Sequence, residues 1–287
     1  MPSTAQSAIL ANIPQNAAYL YFSLQNPQHL HATLQVLGQF CIQHNGLLAL
    51  GRPLIKNPEL NAALLAGKFK NHTVPQQEHD LLIWLRGADA GEIYFQTCAV
   101  QQLAETAFVL LEQQTAFCYQ GGRDLTGYED GTENPQAEAA EHAALIPGGN
   151  LHNSSFFVLQ RWQHQLAEFK SRSQTLQDNT IGRRLSDNEE LENAPASAHV
   201  KRTAQESFSP EIFMLRKSMP WVKKQDAGLM FAAFISDLAG FERMLARMTG
   251  DEDGIKDGLF TFSALQNSAY FWCPAVKQGQ LDFTPAL

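Results

Sequence analysis

Several things are scarce in this chain of 287 residues. Its four cysteines, Cys41, Cys98, Cys118 and Cys273, stand far apart and form no CxxC pair. Metal clusters and dithiol redox centres use close spacing, so both are set aside, and the thiols are expected to be buried in a reducing compartment. Lys and Arg number 21 against 29 Asp and Glu, a formal net charge of −8. No basic run exceeds two residues, as at Arg183-Arg184 and Lys223-Lys224. Nucleic-acid backbones are bound by clustered cations, so a nucleic-acid partner is excluded. No segment approaches about 18 uninterrupted apolar residues, so no membrane span is expected. The opening MPSTAQSAILANIPQ has neither a basic start nor a continuous apolar stretch, which argues against an export signal and for a cytoplasmic protein.

What is present suits a globular α+β protein. Hydrophobic residues make up 44% and charged residues 17%, enough to bury a real core, and the length fits two units of about 140 residues. Apolar, aromatic runs at 17–24, 46–55, 79–87 and 108–119 read as strands. Between them, 27–43 carries Leu30, Leu34, Leu37 and Phe40 at helical spacing, and 90–108 reads as a second helix. The order β-α-β-β-α-β is the split-βαβ plan. The order repeats loosely in 154–162, 163–182, 211–219, 228–236, 237–250 and 268–275, where Gly250 stops the last helix. The fold expectation is therefore α+β, with two ferredoxin-like halves of the dimeric α+β barrel type, 1–145 and 146–287. Residues 183–210 are polar and irregular, long enough to suggest a functional or mobile connection.

Most of the nine histidines read as surface or packing residues. His164 is expected to pack or cap at a helix start. None forms a pair with metal-ligand spacing. His199, in SAHVKRTA (197–204), lies inside the long polar segment; alone it is either a solvated loop residue or the single axial ligand that a haem iron requires. The loop GGRDLTGYEDGTENP (121–135) also has two readings. It is a decorated turn, or a glycine-rich backbone that lets a flat ligand approach closely. It lacks GK[ST] and carries Glu129, Asp130 and Glu133, so it is no phosphate cradle.

Taken together, GYEDGTENP (127–135), AHVKR (198–202) and EIFMLRKSMP (211–220) resemble the dye-decolourising peroxidases. SFFVLQRWQHQL (155–166), IGRRLSDNEEL (181–191), GLMFAAF (228–234) and DGLFTF (257–262) add to the resemblance. It is densest from about 115 to 275 and looks like the compact B-type branch. It implies haem b carried by the second half, with His199 as proximal ligand to the iron and Asp130 and Arg216 on the distal face. Gly131 and Thr132 would line the haem edge. Glu211, five residues before Arg216, would accept the proximal imidazole N–H. The implied reaction is reduction of hydrogen peroxide: Asp130 shuttles a proton and Arg216 stabilises the departing oxygen. A ferryl species then oxidises small aromatic or dye-like donors one electron at a time. Ser218 departs from the asparagine common two residues after the distal arginine, so the distal water would be held differently.

The resemblance also implies a homo-oligomer, dimeric or larger. The end QGQLDFTPAL leaves little room for a shell-targeting tail, so no cargo role is expected. Three other readings stand beside the peroxidase. One is a haem-binding protein for storage, delivery or iron release with incidental peroxidase activity. Another is the chlorite-dismutase class, which shares the doubled plan but not GxxDGTENP. The last is a haem-free α+β protein.

Overall fold

The computed structural model describes residues 3–287. The chain runs through α1 (Ser7–Leu10), β1 (Asn16–Leu24), α2 (Leu30–Gln43), β2 (Leu47–Gly51), α3 (Pro58–Ala63), β3 (Leu81–Gly87), α4 (Ala90–Ala104) and β4 (Phe108–Phe117). It continues through α5 (Ala137–Ala144), β5 (Ser155–His164), α6 (Leu166–Ser171), α7 (Gln174–Ile181) and α8 (His199–Thr203). The last elements are β6 (Leu215–Arg216), β7 (Met219–Lys223), β8 (Asp226–Ile235), α9 (Leu238–Met248), β9 (Ser263–Cys273), β10 (Val276–Lys277) and β11 (Gln280–Leu281). Apart from the short α3, residues 16–117 follow the expected β-α-β-β-α-β order.

Strands β1 to β9 form one antiparallel sheet in the order β4-β1-β3-β2-β9-β5-β8-β6, with β7 also on β8, and β10 pairs separately with β11. Pairing of β2 with β9, Leu50 opposite Trp272 and Gly51 opposite Phe271, makes one sheet of the two sets. β4 and β7 lie side by side at its ends, so the sheet curls towards a barrel. Along β1, Ala17, Tyr19 and Tyr21 point into an inner core with Trp84, Phe157, Phe234 and Phe271. Ala18, Leu20 and Phe22 point outward, into the core that Leu34 and Leu37 of α2 and Val100 of α4 complete. Both sheet faces are covered over the central strands, which read as continuous apolar runs, while β4 at the end of the order alternates buried and more exposed positions. Each such Leu or Phe contributes about 1.5–3 kcal/mol by burial.

Several boundaries differ from the sequence expectation. The strand expected over 46–55 stops at Gly51, and Arg52–Leu54 form a 3₁₀ turn, because Pro53 brings no N–H to a ladder. The helix expected over 163–182 divides at Arg172, and Ser173 caps the second piece through Leu176 N–H. His164 ends a strand and does not start a helix. The strand expected over 211–219 is two short strands, broken at Lys217 and Ser218. Cys41 and Cys273 are buried as expected, but Cys98 is exposed and Cys118 is only partly buried. Among the described residues, no helix is long and apolar enough to cross a membrane.

Candidate active site

His199 is the first residue of α8, and its position is fixed by ion pairing one turn further on. Arg202, 5% exposed, is gripped by both Asp253 carboxylate oxygens at 2.7 Å and donates to the Arg247 carbonyl at 2.6 Å. His199 Nδ1 donates to Oδ2 of Asp257 at 2.8 Å, and the Asp257 side chain is fully buried. The other Asp257 oxygen accepts Leu259 N–H at 2.8 Å, so the carboxylate is itself oriented. Burial works against a charged imidazole, but the Asp257 carboxylate outweighs it and raises the His199 pKa above its ordinary value. With Nδ1 taken, Nε2 is the nitrogen left for a ligand.

The loop carrying Asp130 is held from several sides. Within it, Glu129 pairs with Arg123 at 2.6 Å and Glu133 with Arg183 at 2.8 Å. Among the described residues, Asp130 has neither an ion pair nor a side-chain hydrogen bond, which leaves its carboxylate available for chemistry. Asn134 holds Arg216 by its backbone, donating to the carbonyl at 2.8 Å and accepting the N–H at 2.9 Å. Gln205 ties in α8, donating to Glu133 O at 3.2 Å and accepting Met214 N–H at 3.1 Å. Gly131 sits at φ +78°, and a Cβ there would lie 2.9 Å from the Asn134 amide nitrogen. The loop's own geometry therefore requires glycine at this position.

Asp130, His199 and Arg216 line one cleft of about 940 Å³, counting its mouth. Phe241, Met244 and Met248 from one face of α9, with Phe231, Met214 and Phe262, give it apolar walls. Arg216 Nε is buried without a hydrogen-bond partner, an unpaired donor of the kind a bound group satisfies. An adjoining polar cleft shares Asp130, His199 and Arg216 and adds Gly131 and Thr132.

Two expected residues stand elsewhere. Glu211 does not accept the His199 N–H; it is exposed and lines a separate groove with Phe213 and Asp237. On this segment Met214 and Arg216 face the cleft, with Ile212 buried on the same side. An odd spacing of five residues from Arg216 turns Glu211 to the opposite side of the extended chain. Asp257 holds the role, and its only sequence signal was its place at the head of DGLFTF. Ser218 is buried with an unpartnered Oγ and lines neither cleft.

His164, which the sequence suggests packs or caps a helix, also lines the cleft. It bonds Asp124 at 3.1 Å and Ser263 at 2.7 Å. Burial opposes ionisation of Asp124, but hydrogen bonds from His164 and Thr126 hold its pKa below the ordinary carboxylate value.

Comparison with known proteins gives concordant results. The family model for "Dyp-type peroxidase, C-terminal" matches residues 121–278. A dye-decolorizing peroxidase of Rhodococcus erythropolis is 31% identical over 71% of this chain, and the match spans 62% of that relative's length. Among solved structures, a dye-decolorizing protein from V. cholerae superposes with a TM-score of 0.82 at 26% identity, covering 94% of this chain and 97% of its own. A Rhodococcus jostii RHA1 DypB variant in complex with heme superposes with a TM-score of 0.83 at 21% identity, covering 95% and 97%.

Proposed function

Because the chain belongs to the dye-decolourising peroxidase family, we propose that it is a haem peroxidase that reduces hydrogen peroxide and oxidises small aromatic or dye-like donors. The observation that carries this reading is the pairing of His199 Nδ1 with buried Asp257. It leaves Nε2 for a metal in a cleft that also holds an uncommitted carboxylate and an uncommitted guanidinium. The residues fit haem b: an apolar-walled cleft, one axial nitrogen, and an orphaned Arg216 donor. His199 would hold the iron, and Gly131 and Thr132 would border the ring's polar edge.

Bound haem would supply the redox-active iron that peroxide chemistry requires. The chain supplies the rest. Asp257 accepts the Nδ1 proton, fixes the ring and raises the electron donation of Nε2. Asp130 takes a proton from one peroxide oxygen and delivers it to the other, the departing one. Arg216, a permanent cation, stabilises the charge that develops on that oxygen. The apolar walls exclude bulk water and strengthen both effects.

The finer assignments belong to the same reading. They are the B-type branch, a cytoplasmic homo-oligomer, and division into halves at 145/146. A storage or delivery protein has no use for Asp130 and Arg216. The test is peroxide-driven dye oxidation by the haem-loaded protein, with Asp130→Asn and Arg216→Leu. Loss of turnover with haem still bound supports the peroxidase; unchanged turnover in both variants overturns it.

A further inference from the structure

Outside the His199 cleft, a second concentration of buried charge lies at one end of the inner core. Arg86, near the end of β3, is 6% exposed, and Lys217, just past β6, is 7% exposed. Arg86 shares the parity of Leu82 and Trp84, and Lys217 that of Leu215 and Met219, all inner-core residues. Arg86 donates to the Asn12 carbonyl, and Asn12 lines the same cleft as Lys217, so the Arg86 charge lies close enough to act on Lys217. Burial and then the Arg86 charge lower the Lys217 pKa, and burial brings Arg86 down to about 10.

Neither cation takes part in any ion pair among the described residues. Arg86 gives one N–H to the Asn12 carbonyl and lies 4.7 Å over the Trp84 ring, while its Nε and Nη1 have no partner. The Tyr19 hydroxyl and Trp84 Nε1 in the same core are also unpartnered. Two adjacent buried cations without a counter-charge are costly, and proteins normally neutralise them. Lys217 reaches a cleft formed with Asn12, Gln15 and Gln136, open to the surface. Asp130 and Glu141 also line this cleft, but neither comes within ion-pair distance of Lys217.

We propose that this cleft binds a small oxygen-bearing anion, an oxyanion or a carboxylate, through Lys217, with Arg86 supplying positive potential from behind. The site is separate from the His199 cleft but shares the wall built by Asp130 and Arg216. A bound anion would therefore sit against the distal pair from its far side. The site stands on Lys217 and Arg86 and does not depend on the reaction assigned to His199.

The test is thermal unfolding of the full-length protein with inorganic phosphate, acetate or sodium chloride at matched ionic strength. Calorimetric titration of phosphate accompanies it. A saturable rise of roughly 2–6 °C with phosphate or acetate over chloride is expected, together with one calorimetric site per chain. Lys217→Met, or Lys217→Gln should the first fail to fold, is expected to lose both. The stronger of the two anions identifies an oxyanion or a carboxylate as the preferred ligand. No saturable binding in the wild type, or equal binding in the Lys217 variant, overturns the proposal and leaves ordered water as the partner of these groups.

Discussion

Asn134 holds Arg216 by both of its backbone polar groups, at 2.8 and 2.9 Å. One side-chain amide thus sets the distance between the loop bearing Asp130 and the strand bearing the cation. Asn134→Ala removes two partly buried hydrogen bonds and should cost about 1–3 kcal/mol of stability. In the haem-loaded protein it should slow peroxide reduction at least tenfold while haem affinity stays within a few-fold. Urea unfolding and stopped-flow mixing with peroxide check the two parts separately.

Asp257→Asn keeps the shape of the side chain but removes its charge. The imidazole should donate less to a bound iron, so the ferric/ferrous midpoint potential should rise. Spectroelectrochemical titration of the variant beside the wild type measures this. An unchanged or lower potential would speak against a proximal role for the pair.

The raised pKa of His199 makes a pH prediction for the haem-free protein. A folded-state pKa above the unfolded value contributes stability that is fully present below about pH 6.5 and is lost as pH rises through the folded value. Wild type minus His199→Leu should therefore show a stability difference that shrinks from pH 6 towards pH 8, by no more than about 1.4 kcal/mol per unit. Urea titrations at three pH values suffice. A difference that grows with pH would contradict the assignment.

Gly131→Ala should destabilise the loop by about 1–3 kcal/mol, since φ is +78° and the new methyl would meet the Asn134 amide. Gly121, also at positive φ but with nothing near its Cβ position, should tolerate alanine better. Comparing the two variants by thermal unfolding separates backbone strain from the clash.

The fold was legible where burial on both sheet faces produced long apolar runs, as in β1, β3 and β8. His199, Asp130 and Arg216 were legible through motif spacing, and the structure brings the three to one cleft. Asp257 was not legible. Its pairing with His199 joins segments 58 residues apart, and no local pattern announces a contact that only tertiary packing makes. Glu211 misled for the converse reason: closeness in sequence to Arg216 suggested a shared site, while the two-residue period of extended backbone turns the side chains apart. The break at Lys217 and Ser218 was hidden as well, because MLRKSM reads as one strand until two successive partners on β8 are known.

The most direct test is the absorption spectrum of the purified protein reconstituted with haem, beside His199→Ala. The expected result is one haem per chain with a Soret band that shifts when peroxide is added, and a variant whose band is lost or altered. A wild-type protein that binds no haem, or a variant with an unchanged spectrum, would contradict His199 as the ligand on which the site is built.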